Sequence, residues 1–252
     1  MKNTEHTLVV GGTKGIGLCF VRLAAAAGQV VSVIGRTAPT REFSAGRVRH
    51  WAVDLLENER LLRTLAEVRG CHGKLDHLVF FQRYRGEGDG WAGEIATSLT
   101  ATRTVIEAMS DQFKPTNASI VVVSSVNARL ISPNLSPGYH VAKAALVQLV
   151  RYFAVTLGRR RIRVNCVSPG TVVKQEARAA YMRDPKLADL YRRMTPLSRM
   201  GTARDVAEVV EFLCSAKSSF VTGQDIVVDG GRSLQLQERL VAELHAKRPQ
   251  PL

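Results

Sequence analysis

Short runs rich in β-branched residues alternate along the chain with longer stretches whose apolar residues recur at helical spacing. TLVV, VVSVI, VRHWAV, HLVFF, SIVVVS, RVNCVS and DIVVD predict about seven strands. GLCFVRLAAAAG, NERLLRTLAEVRG, IATSLTATRTVIEAM, GYHVAKAALVQLVRYFAVTLG and ARDVAEVVEFLCS predict helices between them. Strand–helix alternation calls for right-handed crossovers and a parallel sheet. Strands that are apolar almost throughout ask for cover on both faces. The expected fold is therefore doubly wound α/β, the Rossmann type, as a single domain over residues 1–252. No Pro/Gly/Ser linker, charge block or internal repeat divides the chain.

Composition narrows the setting. Of the 252 residues, 45% are hydrophobic and 23% charged, enough for a sizeable core. The N-terminal MKNTEHTLVV lacks the apolar stretch of a signal peptide, and AKAALVQLV is broken by Arg151, well short of a membrane span. Cys19, Cys71, Cys166 and Cys214 match no metal or disulfide spacing and sit in apolar contexts, which suits core packing in a reducing cytoplasm. The formal charge of +13 would attract nucleic acid, acidic membranes or a small anionic substrate without choosing between them. GRRRIR, residues 158–163, reads as a solvated turn. No nucleic-acid recognition motif accompanies the charge, so neither nucleic acid nor membrane is an expected partner.

In a doubly wound sheet, ligands bind beyond the carboxyl ends of the strands. GGTKGIG stands there, after the first strand and at the start of the first helix. Gly11, Gly15 and Gly17 would give a tight turn, room for a pyrophosphate and close helix–strand packing, with helix amides aimed at the phosphates. The second strand ends in Gly35-Arg36-Thr37, where sites selective for NAD usually carry an acidic residue. Arg36 and Lys14, from neighbouring loops, would instead suit the 2′-phosphate of NADP.

YHVAK places Tyr139 and Lys143 one helical turn apart on one face. A lysine ammonium there favours the phenolate, fitting the tyrosine for proton transfer with a carbonyl or alcohol oxygen. With GGTKGIG, VDL, SSV, YHVAK, RVNCVSPG, MTPLSRMGTARDVAEVVEFLCS and GQDIVVDGG in this order, the chain from Leu8 to Gly231 resembles the short-chain dehydrogenase/reductase family in its single-domain form. The resemblance implies an NADP(H)-dependent oxidoreductase interconverting a carbonyl and an alcohol. Tyr139 would be the acid/base and Ser125 would hold the reacting oxygen. Ser125 is preferred to Ser124 because the family's Ser-x-x-Gly begins there and ends here in Ala128. Lys143 would hold the nicotinamide ribose, Asp54 the adenine amino group, and Pro169, Gly170 and Val172 the nicotinamide. Thr13 and Ile16 in the glycine loop, Thr37 beside Arg36 and Leu55 beside Asp54 complete the expected cofactor contacts.

Several positions depart from the family pattern. Phe80-Phe81-Gln82-Arg83 replaces Asn-Asn-Ala-Gly after the fourth strand. Either the loop has drifted while the cofactor still fits, or Arg83 or Arg85 gives the cleft an anion-binding edge. Ser98 replaces the asparagine that holds a relay water toward the lysine; serine can also bind water, with a different reach. Lys174 stands near the place of a threonine, and Val10 opens the glycine motif. Residues 174–200 fall where the family covers its substrate, and carry Arg178, Arg183, Arg192, Arg193, Tyr181, Tyr191 and Met182. Residues 235–252 form a C-terminal extension. Family members are commonly homotetramers, so a tetramer or dimer is expected, and the substrate is a small carbonyl or alcohol, with an anionic one among the options. A non-catalytic alternative, a cofactor-binding regulator or partner-binding module, rests on the altered FFQR loop and Ser98.

Overall fold

The computed structural model describes residues 4–38, 46–173, 184–236, 238, 241–242 and 245. Seven strands form one parallel sheet in the order β3-β2-β1-β4-β5-β6-β9. They are β1 His6–Val10, β2 Val30–Gly35, β3 Val48–Ala52, β4 His77–Phe80, β5 Ala118–Val123, β6 Ile162–Pro169 and β9 Asp225–Val228. All seven predicted strands are present, within a few residues of the expected limits. A separate two-stranded ribbon joins β7 Val172–Val173 to β8 Gly201–Thr202, which the periodicity did not reveal.

Alternate strand residues serve opposite faces, as the two-residue period of a strand requires. Leu8 and Val10 of β1, Leu78 and Phe80 of β4, and Ile120 and Val122 of β5 pack on one face. There they meet α2 Asn58–His72, α4 Ala101–Met109 and α5 Pro137–Gly158 through Leu61, Leu65, Val105, Ile106, Leu146 and Phe153. The other face carries Val9, Val79 and Val121 against α1 Gly15–Ala26 and α7 Ala203–Cys214 through Phe20, Val21, Val206 and Val210. Two short helices complete the described set: α3 Gly90–Glu94, whose Gly90 and Trp91 backbone lies against Gly138 of α5, and α6 Pro185–Arg193. With β2 on one side of β1 and β4 on the other, the strand order reverses, and their carboxyl ends open into a crevice.

Three expectations need correction. The segment 95–109 is not one regular helix: after α3, Ile95–Thr100 winds as a π-helix before α4. Of the cysteines, only Cys166 and Cys214 are buried; Cys71 is exposed, and Arg49 donates to its Sγ at 3.0 Å. Arg159 to Arg161 are solvated as expected, but Arg163 is buried in β6, where it donates to the Leu213 carbonyl and Ser218 Oγ, each at 2.7 Å. In addition, α5 is long and apolar enough to cross a membrane by length and composition, although Arg151 interrupts it. Its apolar residues Ala142, Leu146, Val150 and Phe153 are buried in the core.

Candidate active site

A cleft of about 800 Å³ lies beyond the carboxyl ends of β1, β2, β4, β5 and β6. The glycine loop forms its floor. Gly11 adopts φ +81°, and a side chain there would meet the Gln82 backbone nitrogen at 2.7 Å. A side chain at Gly17 would land on the Gly11 carbonyl oxygen, so α1 approaches the loop only because that position is bare. Lys14 is the N-cap residue of α1, yet its side chain caps nothing; the first-turn amides face the cleft with a cation beside them.

Thr13, Lys14, Gly15, Ile16, Arg36, Thr37, Asp54 and Leu55 line this end of the cleft. The expected pair of cations is present, with one qualification. Arg36 approaches Asp54 at 3.8 Å, and both side chains are partly exposed. Such a pair contributes about 0–1 kcal/mol, so an anion can compete for the guanidinium. Asp54 is positioned by the Leu56 amide, which donates to Oδ1 at 3.0 Å.

At the other end, β5 delivers Ser124 and Ser125, α5 delivers Tyr139 and Lys143, and the end of β6 delivers Pro169 and Gly170, with Val172 just beyond. Ser136 caps α5 by accepting from the Tyr139 amide at 3.2 Å, and Pro137 suits the first helical position, so the helix begins just before the tyrosine. The two serines are differently engaged. Ser124 donates to the Lys143 carbonyl at 2.8 Å and ties β5 to α5. Ser125 Oγ accepts from the Asn127 amide at 3.1 Å, which leaves its hydroxyl proton available to donate.

Lys143 is buried, and its Nζ donates to the Val123 carbonyl at 3.1 Å. Nζ also lies 5.7 Å from the centre of the Tyr139 ring. Loss of water around the ammonium brings its pKa from 10.5 to about 8, against an opposing pull from Glu94. Ser98 does not reach the cleft. It is fully buried in the π-helical turn, donates to Glu94 Oε2 at 2.7 Å, and its carbonyl accepts from Thr102 Oγ1 at 2.6 Å. Its hydroxyl is engaged by Glu94, whose charge in turn acts on Lys143. Glu94 was not anticipated; the available signal was a carboxylate one turn before Ser98 on the inward face of an apolar helix.

The unusual FFQR loop takes a definite shape. Phe80 is buried in the core, and Phe81 packs on Phe20 with ring centres 5.6 Å apart. Gln82 donates to Thr102 Oγ1 at 2.7 Å, while its Oε1 is buried without a hydrogen-bond partner among the described residues. Arg83 lies 4.9 Å over the Tyr139 ring, and Arg85 also lines the cleft. In the segment expected to cover the substrate, residues 174–183, including Lys174, Arg178, Tyr181, Met182 and Arg183, lie outside the described residues. Residues 185–193 form α6, and Arg232, from beyond β9, packs 5.4 Å over its Tyr191 ring. Most of the C-terminal extension is also outside the described residues.

The geometry fits a dinucleotide: a glycine-floored turn, helix amides beside a cation, an orphaned acceptor at Gln82, and a tyrosine–lysine pair at the far end. Residues 10–233 match the family model described as enoyl-(acyl carrier protein) reductase. The chain is 31% identical to dehydrogenase/reductase SDR family member 4 of Sus scrofa, over 91% of this chain and 87% of that protein. It is 30% identical to the 3-oxoacyl-[acyl-carrier-protein] reductase FabG of Chlamydia pneumoniae, over 90% of this chain and 96% of that protein. A solved short chain dehydrogenase family protein from Francisella tularensis superposes with a TM-score of 0.81 at 26% identity, covering 92% of this chain and 100% of the other. Sheet order, cleft and sequence agree, and the chain belongs to the short-chain dehydrogenase/reductase family of nicotinamide-dependent oxidoreductases.

Proposed function

We propose that the protein is an NADP(H)-dependent reductase or dehydrogenase that interconverts a carbonyl and an alcohol. One observation carries this reading: a single cleft has Lys14 and Arg36 at one end and Ser125, Tyr139 and Lys143 at the other. The cations and the absence of a carboxylate at Arg36-Thr37 favour the 2′-phosphate of NADP over NAD. Lys14 and Arg36 would hold that 2′-phosphate, the α1 amides and Gly15 the pyrophosphate, and Asp54 the adenine. Gln82 would accept from a ribose hydroxyl, and Pro169, Gly170 and Val172 would orient the nicotinamide.

When bound, the nicotinamide supplies hydride chemistry. In reduction, Tyr139 gives its phenolic proton to the carbonyl oxygen, which Ser125 holds by a hydrogen bond. In oxidation, Tyr139 takes that proton back from the alcohol. Lys143, an ammonium beside the ring, stabilises the phenolate left after donation. Residues 174–200 would cover the substrate, as the resemblance implies. We also propose a cytoplasmic setting, consistent with four free cysteines, and a homo-oligomer, tetramer or dimer.

Titration with NADPH and NADH, then assay of Tyr139→Phe against a panel of carbonyl compounds, tests the reading. Tighter binding of NADPH is expected. The variant should keep that affinity but lose about 10²–10⁴-fold in turnover, the usual contribution of a positioned acid/base. Equal affinity for the two cofactors would exclude the proposed selectivity, and a variant with near-normal turnover would exclude the role of Tyr139. The altered FFQR loop and a Ser98 engaged with Glu94 motivate one alternative: a cofactor-binding regulator that binds NADPH tightly and turns over none of the panel.

A further inference from the structure

Arg83 occupies the last position of the stretch that replaces the family's Asn-Asn-Ala-Gly, and it brings a guanidinium to the reacting end of the cleft. The side chain is held by the face of the Tyr139 ring, 4.9 Å from its centre, in a cation–π contact. Its Nε is sealed from solvent and has no hydrogen-bond partner among the described residues. Lys143 stands 5.7 Å from the same ring, so two cations flank one phenol. Glu94 Oε2 accepts from Ser98 at 2.7 Å and from the Tyr84 amide at 3.4 Å, and among the described residues no ion pair joins Glu94 to Arg83. Arg85, exposed on the same loop, adds a third positive group to the cleft wall.

A guanidinium fixed against an aromatic face, with its fork not taken up by a carboxylate among the described residues, is suited to receive a planar anion. From the Arg83 placement over Tyr139, we propose that Arg83 forms an anion subsite for the substrate, so that the carbonyl presented to Tyr139 and Ser125 belongs to a small molecule carrying a carboxylate or phosphate within a few bonds of it. The substrate role rests on the carbonyl–alcohol reading above; the subsite itself does not. Distance sets the class. A carbonyl oxygen within hydrogen-bond reach of the Tyr139 hydroxyl and an oxyanion within reach of a guanidinium over the same ring must belong to neighbouring groups. Oxo acids and phosphorylated ketones fit this, whereas steroids and simple ketones leave the charge unanswered. The same chemistry has a second source in the phosphates of the dinucleotide, and the experiment separates the two.

The full chain is first titrated with NADPH, which reports on the functional reading alone. The NADPH-loaded protein is then titrated with oxamate, a carboxylate beside an amide carbonyl, and with its uncharged counterpart oxamide. Oxamate is expected to bind and oxamide not to. Arg83→Ala should weaken oxamate at least tenfold while NADPH affinity stays within twofold, and Arg83→Lys should recover part of the loss. If NADPH does not bind, the same titration of the free protein decides the subsite, because oxamate binding that depends on Arg83 supports it without any redox role. Oxamate binding that is absent, or unchanged in Arg83→Ala, overturns the proposal. So does a parallel loss of NADPH affinity in Arg83→Ala, which would assign the guanidinium to the cofactor's phosphates. A thermal melt of each variant identifies misfolding, and Arg83→Gln, which keeps the length and a polar end, then takes the place of Arg83→Ala.

Discussion

Lys143 is a cation placed where water cannot reach it, and its titration carries a stability signature. Burial lowers its pKa from 10.5 to about 8. Below pH 8 both folded and unfolded chains hold the proton, and the full desolvation penalty weighs on the fold. Between about pH 8 and 10.5 the unfolded chain binds more proton than the folded one, so stability rises with pH through that window. Replacing Lys143 with Met removes the charge. The Met variant should therefore be the more stable protein at pH 7, and its advantage should shrink by about 1.4 kcal/mol per pH unit above pH 8. Urea unfolding of both proteins at pH 7, 8, 9 and 10 checks this; a constant difference across the series would contradict it. Tyr139 and Lys143 were legible in the sequence because residues four positions apart on a helix share a face. Glu94 was not, since its meaning depends on the π-helical turn that aims it toward the lysine.

At the scale of elements, α1 and α7 pack side by side, and α1 presents its N-terminus to the cleft. The start of α7 is set by a capping box. Thr202 Oγ1 accepts from the Asp205 amide at 3.2 Å, and Asp205 Oδ2 accepts from the Thr202 amide at 2.7 Å. Arg199 donates to both Asp205 oxygens and holds its carboxyl below the usual carboxylate range. Thr202→Ala removes one half of the reciprocal pair and should cost about 1 kcal/mol, seen as a lower urea midpoint with an unchanged slope. A midpoint equal to the parent's would mean that the arginine–aspartate pair alone sets the helix start. The main strands and helices were readable because two-residue and 3.6-residue periods are distinct over a dozen positions. The π-helical turn was not, because six residues are too few to separate its winding from an α-helix. The β7–β8 ribbon also escaped, its two-residue strands being too short for any period, and α6 was read only as part of the segment expected to cover the substrate.

For the whole molecule, α5 poses a question of cover. It buries Leu146, Val150 and Phe153 in the core, yet Val141, Tyr152 and Val155 stand exposed on its outer side, Val155 by 79%. Apolar residues gathered on the exposed side of a core helix mark an interface more often than a free surface. Under the proposed homo-oligomer, this side meets a second copy, and Val155→Glu should shift the protein toward a smaller species in sedimentation while its melting temperature changes little. A parent that sediments as a monomer would remove this interface, and a variant that keeps the parent's assembly would place the contact elsewhere.

Sequence alone determined the class of fold, the glycine turn, the family and the helical pairing of Tyr139 with Lys143. Each is a relation between residues close in the chain, or a periodic pattern that burial enforces wherever it occurs. Tertiary structure decided which groups from distant segments meet. It set Arg83 of the β4 loop on the ring of Tyr139 from α5, tied Ser124 to the Lys143 carbonyl, drew Arg36 toward Asp54 and turned Ser98 away from the cleft. Apart from the local turn that holds Ser98 on Glu94, these contacts depend on sheet order and crossing helices, which join separate segments of the chain and leave no periodic trace in it.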